Sequence, residues 1–101
     1  MNTTIDILCS AISQSKVVAF WYHGGKRKVE PHMVAHDELD HLALSGWFLS
    51  GYSESGSGPG WRTYHINEIS ELEIIDETFR GPRPGYKPDG GQEFHSVVCA
   101  L

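Results

Sequence analysis

Three consecutive cations, Lys26, Arg27 and Lys28, form the densest basic run of a 101-residue chain whose formal net charge is -5. A guanidinium beside an aromatic ring can hold a phosphate while a base stacks on the ring, and Trp21 and Tyr22 stand just ahead of the run. Successive side chains on a strand point to opposite faces, so Lys26 and Lys28 share one face and Arg27 takes the other. At most part of the run can therefore serve one pocket, and the plain alternative is a solvated hairpin. Trp21, Tyr22, Trp47, Phe48, Tyr52, Trp61 and Tyr64 supply the large rings. Most are expected in the core, where each contributes about 1.5 to 3 kcal/mol on burial. Tyr22 and Tyr64 are the two expected to line a binding face, since a buried phenol needs a polar partner.

Six histidines raise the question of a metal, chiefly His32, His36 and His41 beside Asp37 and Asp40. Residues four apart on an extended strand lie about 13 Å from each other, against a reach of roughly 2 Å from each ligand to a zinc ion. Only a folded loop gathers them, and the reading favours no metal. Cys9 and Cys99 lack metal spacing and are read as two free buried thiols. Catalysis needs a nucleophile with a positioned base and an oxyanion site. Cys9 falls on the apolar face of a helix, Cys99 lies near the last residue, and no serine occupies a Gly-x-Ser-x-Gly turn. The expectation is a non-enzyme with no catalytic residue and no cofactor.

The elements that must position these residues follow from periodicity. Ile5, Leu8, Cys9 and Ile12 recur at helical spacing behind Thr3, with Asp6 placed to complete a capping box. Val17 to Tyr22 is a β-branched and aromatic run, buried on both faces. His23 to Lys26 is a tight turn built on paired glycines. Arg27 to Val34 returns as a strand in which Pro31 marks an end, an edge or a bulge. His36 to Asp40 reads as a loop. His41 to Tyr52 is one curved strand or two short ones, with Gly46 and Gly51 suited to bulges. Ser53 to Gly60 is a polar loop, expected to be mobile. Trp61 to Ile66 and Ile69 to Ile75 are strands joined at Asn67-Glu68, the second with Leu72 and Ile74 opposite Glu71 and Glu73. Residues 80–91, rich in Gly and Pro, wrap irregularly, and Phe94 to Leu101 docks as a terminal strand. A helix followed by about five short strands is the pattern of a small antiparallel barrel.

Length and composition point to one domain, with 1–79 as the barrel and 80–101 as a tail of the same unit. Net negative charge excludes a general nucleic-acid coat, whose affinity rests on many cations. No apolar run reaches the roughly 20 residues of a membrane span, and residues 1–16 lack the features of a signal peptide. A cytoplasmic location and no membrane partner are expected.

In order, the segments "YHGGKRKVEPH", "WFLSGY", "WRTYHINEI" and "LEIIDETF" resemble the WYL family of bacterial regulatory domains, over roughly residues 8 to 79. The Trp-Tyr-Leu stretch that names the family reads Trp47-Phe48-Leu49 here. The resemblance implies a small Sm-like five-stranded antiparallel barrel with a short N-terminal α-helix, to which the irregular C-terminal tail is added. It implies a binding pocket that uses Tyr22, Arg27 and Arg62, with Glu68 where the family commonly carries an arginine. The function implied is that of a non-enzymatic sensor or regulatory domain for a small anionic ligand or short single-stranded nucleic acid. The alternative is an interaction module. Because the family's domains usually follow a winged helix-turn-helix, a separate DNA-binding or effector protein is an expected partner. A homodimer or larger ring formed through strand edges or Phe94 to Leu101 is also expected, since so small a core leaves Val97, Val98 and Leu101 in need of cover.

Overall fold

The computed structural model describes residues 3–54, 56 and 58–101. Helix α1 (Thr4–Ser13) starts at the predicted cap. The Asp6 N–H donates to the Thr3 hydroxyl, and the Asp6 carboxylate accepts from the Thr3 N–H. That reciprocal pair satisfies donors a helix start leaves free and sets an anion at the positive end of the helix dipole. Leu8, Ala11 and Ile12 are buried, with Ile5 packed partly against the same core.

Strands β1 (Lys16–Tyr22) and β2 (Gly25–Asp37) form a hairpin in which Tyr22 pairs with Gly25. The two loop residues, His23 and Gly24, have φ of 43° and 88°. Two successive positive φ values give the type I′ turn whose twist matches the flanking strands. Strands β3 (Leu42–Gly51), β4 (Gly60–His65), β5 (Ser70–Thr78) and β6 (Phe94–Ala100) follow, with a 3-10 turn at Ile66–Glu68 between β4 and β5. All pairings are antiparallel, in the order β4-β3-β2-β1-β5, with β6 on β2.

The five strands expected are thus six among the described residues, and the sheet is not closed. The reason lies in β2, which is 13 residues long. Its edge away from β3 is shared: β1 pairs with it as far as Val29, and β6 takes over from Met33. Pro31, which has no N–H to give a ladder, falls in the gap between these partners. A register shift against β3 between Pro31 and Met33 makes His32 a bulge residue. The segment expected to loop from His36 instead stays in β2 through Asp37. His41 to Tyr52 resolves into the single strand β3, bulged between Phe48 and Ser50.

Strand β5 departs from its predicted phase. Glu71 adopts φ of 51°, and the register with β1 slips on both sides of Val18–Ala19. Leu72 and Ile75 are therefore half-buried while Ile74 is exposed. The loop expected between Ser53 and Gly60 includes Ser55 and Ser57, which lie outside the described residues.

The core gathers Phe20, Tyr22, Val29, Leu44, Phe48 and Tyr64 from four strands with Leu8 and Ile12 from α1. Trp21 and Tyr52, expected among the core rings, are 44% and 46% exposed. The two cysteines are not free: Cys9 and Cys99 form a disulfide that links α1 to β6 across 90 residues of sequence. Pairing of β6 with β2 carries Cys99 to a Cα–Cα distance of 5.8 Å from Cys9, within the range a disulfide requires. No spacing rule in the sequence reports a contact made by two distant elements.

The tail between β5 and β6 is irregular and firmly anchored. Arg83 makes a bidentate pair with the buried Glu30 carboxylate at 2.7 and 2.9 Å. Its backbone N–H donates to His32 Nε2 at 3.1 Å, while His32 Nδ1 lies 2.8 Å from the Glu30 carbonyl. Trp61 Nε1–H donates to the Pro84 carbonyl, and the Tyr86 ring stacks beside Trp61. Among the described residues, no helix is long and apolar enough to cross a membrane.

Candidate functional site

Arg27 pairs with Phe20 across the β1–β2 hairpin, which turns its side chain to the inner face, while Lys26 and Lys28 pair with Glu73 and Glu77 on the outside. The predicted division of the basic run is the one the strand makes. The Arg27 guanidinium carbon lies 5.3 Å from the centres of the Tyr22 and Tyr52 rings and 5.9 Å from that of Tyr64. One guanidinium nitrogen donates to the Tyr22 carbonyl at 2.8 Å. Tyr52 reaches this position because Gly25 has no side chain: a Cβ there would overlap the Tyr52 ring.

Among the described residues, two buried atoms of this cage, Arg27 Nε and the Tyr64 hydroxyl, make no hydrogen bond of good geometry, although Arg27 stands close enough to Tyr64 to act on its hydroxyl. An unpaired buried polar group costs about 1 to 3 kcal/mol, so two at one spot make a place where a polar ligand recovers energy that folding alone does not. Burial pushes the Tyr64 phenol up from its ordinary pKa of 10.0, against the opposing pull of Arg27 and Arg62. Burial also raises Tyr22, opposed by the His65 N–H that donates to its hydroxyl at 3.0 Å. Both phenols are neutral at physiological pH, and Tyr64 keeps an O–H to give.

Of the four residues expected to bind ligand, Tyr22, Arg27 and Tyr64 come together. Arg62 stands on the flank, its guanidinium over Phe48 at 5.4 Å and donating to the carbonyls of Trp61 and Gly58 at 2.9 and 2.8 Å. Three further participants escaped the sequence reading. Tyr52 closes the cage, as described. Glu54 brings a carboxylate oxygen to 3.6 Å from the Arg27 guanidinium and 2.9 Å from His23 Nδ1. His23 stacks on Tyr22 with ring centres 4.1 Å apart. Only the His23 position had a usable signal, since a turn beside Tyr22 must bring its side chain near that ring.

From His23 a chain of alternating acids and imidazoles runs along the rim. His23 Nε2 meets Glu68 at 2.6 Å, Glu68 meets His65 Nδ1 at 3.1 Å, and His65 Nε2 and His41 Nδ1 face Asp37 at 3.5 and 3.7 Å. The bond from Glu68, followed by that from Glu54, raises the His23 pKa above its ordinary 6.5. Glu68 is held below the usual carboxylate range chiefly by His23. Backbone N–H groups of His41 and Leu39 hold Asp37 low as well.

A separate cleft of about 590 Å³ opens between β4 and the tail, lined by Met33, Ser45, Thr63, Tyr86 and Phe94 among others. Arg62 borders it, but Tyr22, Arg27 and Tyr64 do not. Among the described residues, no unpaired buried side-chain atom borders it. No protein-family model matches this chain, and no curated protein matches it.

Proposed function

We propose that this chain is a non-enzymatic binding domain for a small anionic ligand or a short single-stranded nucleic acid, with a WYL-like role as sensor or regulator and an Sm-like barrel as its scaffold. The leading helix, the antiparallel run of consecutive strands and the four ordered segments support the scaffold. The observation that carries the function is the pair of buried atoms Arg27 Nε and Tyr64 hydroxyl, neither with a hydrogen bond of good geometry among the described residues, inside a ring cage. An anion oxygen entering there accepts from both groups, and a base or other flat group stacks on Tyr22 or Tyr52. Glu54 occupies the approach as an internal anion and is the group such a ligand displaces. Arg62 is the second cation once its bond to Gly58 is released.

Titration calorimetry against short DNA, RNA and cyclic nucleotides tests this reading. Weak binding is expected, lost by about 1 to 3 kcal/mol in Arg62→Ala, as for a charge-assisted pair. Glu68→Arg, which restores the family's cation beside Tyr22, is expected to strengthen it. With few phosphates engaged, the affinity loss between 50 and 200 mM salt stays far below the roughly 1,000-fold of a protein making six or more contacts. No binding by wild type or either variant would reject the reading.

A second reading, self-association, is favoured by Val97 and Val98 of β6, which are 41% and 48% exposed on neighbouring positions. Its partner is a second copy of this chain. Light scattering at high micromolar concentration is expected to show a dimer or larger species that Val98→Lys converts to monomer; a wild-type monomer contradicts it. We place the protein in the cytoplasm, where the Cys9–Cys99 bridge is subject to reduction because such compartments keep thiols reduced.

A further inference from the structure

The rim of the sheet holds a cluster that the anion-binding reading does not use. Asp37 ends β2, His41 lies just before β3, and His65 ends β4. The turn between β2 and β3 is closed by the Asp37 N–H donating to the His41 carbonyl at 2.9 Å. Asp37 Oδ1 accepts from the Leu39 and His41 N–H groups at 3.0 and 2.9 Å, which fixes the carboxylate and turns Oδ2 outward. His41 Nδ1 and His65 Nε2 both face that Oδ2, at 3.7 and 3.5 Å. All three ligand atoms lie within 4.8 Å of one another. Strand spacing argued against a metal because it took the chain as extended; here the turn folds His41 back on Asp37, and His65 arrives from a different strand.

We propose that Asp37, His41 and His65 form a binding site for a divalent transition metal of the zinc class, through Asp37 Oδ2, His41 Nδ1 and His65 Nε2, with one coordination position open. Tetrahedral zinc with bonds of about 2.0 to 2.1 Å sets its ligand atoms about 3.3 Å apart. The observed spacings to Asp37 exceed that by a few tenths of an ångström, and both imidazoles are part-exposed and able to turn inward. Two imidazoles select zinc, copper or nickel over calcium and magnesium, which take oxygen ligands. His65 has the support that metal-ligating histidines require: its Nδ1 is engaged by Glu68 at 3.1 Å, which fixes the ring and leaves Nε2 as the ligand. Glu68 is anchored in turn by His23 at 2.6 Å. Elsewhere on the surface, His95 meets Asp40 at 3.7 Å, and among the described residues no third ligand atom gathers with them, which makes it the internal control. Cys9 and Cys99 are joined, so no thiol competes for the ion.

The test is calorimetric titration of Zn²⁺ into the tag-free, oxidised full chain after chelator treatment, with Co²⁺ absorption as a second readout. The expected result is saturation at one ion per chain and the visible bands of tetrahedral Co²⁺. His41→Ala and His65→Ala should each weaken binding at least about tenfold, and Glu68→Gln by about 10- to 100-fold with stoichiometry kept. His95→Ala should bind as wild type. His41 lies in an exposed turn, so its variant keeps the fold, and dichroism checks this for each protein. Absence of saturable binding, or wild-type affinity in folded His41→Ala, would overturn the proposal.

Discussion

A guanidinium buried among three rings and left with an unpaired Nε is costly to stability, and so is the unpaired Tyr64 hydroxyl beside it. Removing the hydroxyl removes the cost. Tyr64→Phe is expected to leave stability unchanged or raise it by about 1 kcal/mol in urea denaturation, while weakening anion binding. Loss of stability in that variant would mean the hydroxyl is already satisfied. Arg83 behaves oppositely, since its guanidinium covers a buried carboxylate. Arg83→Ala should cost about 1.5 to 3 kcal/mol, the range for hydrogen bonds to charged groups, because Glu30 is left without its partner. Glu30→Gln in the same background should recover part of that loss. That Arg27 lies on the face opposite Lys26 and Lys28 was legible from strand alternation; that this face is the inner one was not. Glu54 and Arg83 were not, because each meets its partner through an irregular segment whose path no periodicity encodes.

Among the elements, α1, β1 and the β1–β2 turn followed directly from a capping box, a β-branched run and paired glycines. Phase was lost where the backbone left regular geometry. In β5 the register with β1 slips between Ile74 and Thr78, and Ile75 rather than Ile74 joins Leu72 half-buried, which alternation cannot anticipate. The sixth strand was visible as a docked segment, but its partner was not, since β2 alone serves two strands on one edge. Its attachment to α1 by Cys9–Cys99 closes a large loop. Reduction, or Cys99→Ser, should lower stability by about 2 to 4 kcal/mol, the usual range for a disulfide. Hydrogen exchange should then rise first in β6 and α1. Equal stability with and without reductant would mean the bridge does not form in the purified protein.

At the level of the whole molecule, two histidines set opposite limbs of the stability curve. Burial pushes the His32 pKa below its ordinary 6.5, with the Glu30 carbonyl opposing. The unfolded chain therefore takes up a proton that the folded one resists, so this contribution is complete above about pH 6.5 and is lost as pH falls below it. His23 is raised by Glu68 and Glu54, so its contribution is complete below about pH 6.5 and is lost as pH rises through the elevated value. Thermal melts should show His32→Phe flattening the acid limb and His23→Asn the opposite one. The overall layout, a helix and a mainly antiparallel β-sheet with a wrapping tail, was legible from element order; closure was not, because it depends on whether β4 and β5 meet. The same wrapped sheet delivers Tyr22, Arg27 and Tyr64 to one cage with a Glu54 carboxylate oxygen 3.6 Å from the guanidinium. Whether that cage is an anion site is tested most directly by titrating a short single-stranded oligonucleotide into wild type and Glu54→Gln. Removing a half-exposed competing carboxylate worth about 0.2 to 1 kcal/mol should tighten binding about 1.5- to fivefold. Unchanged or weaker binding in folded Glu54→Gln would contradict the assignment of Arg27 as the receptor for the anion.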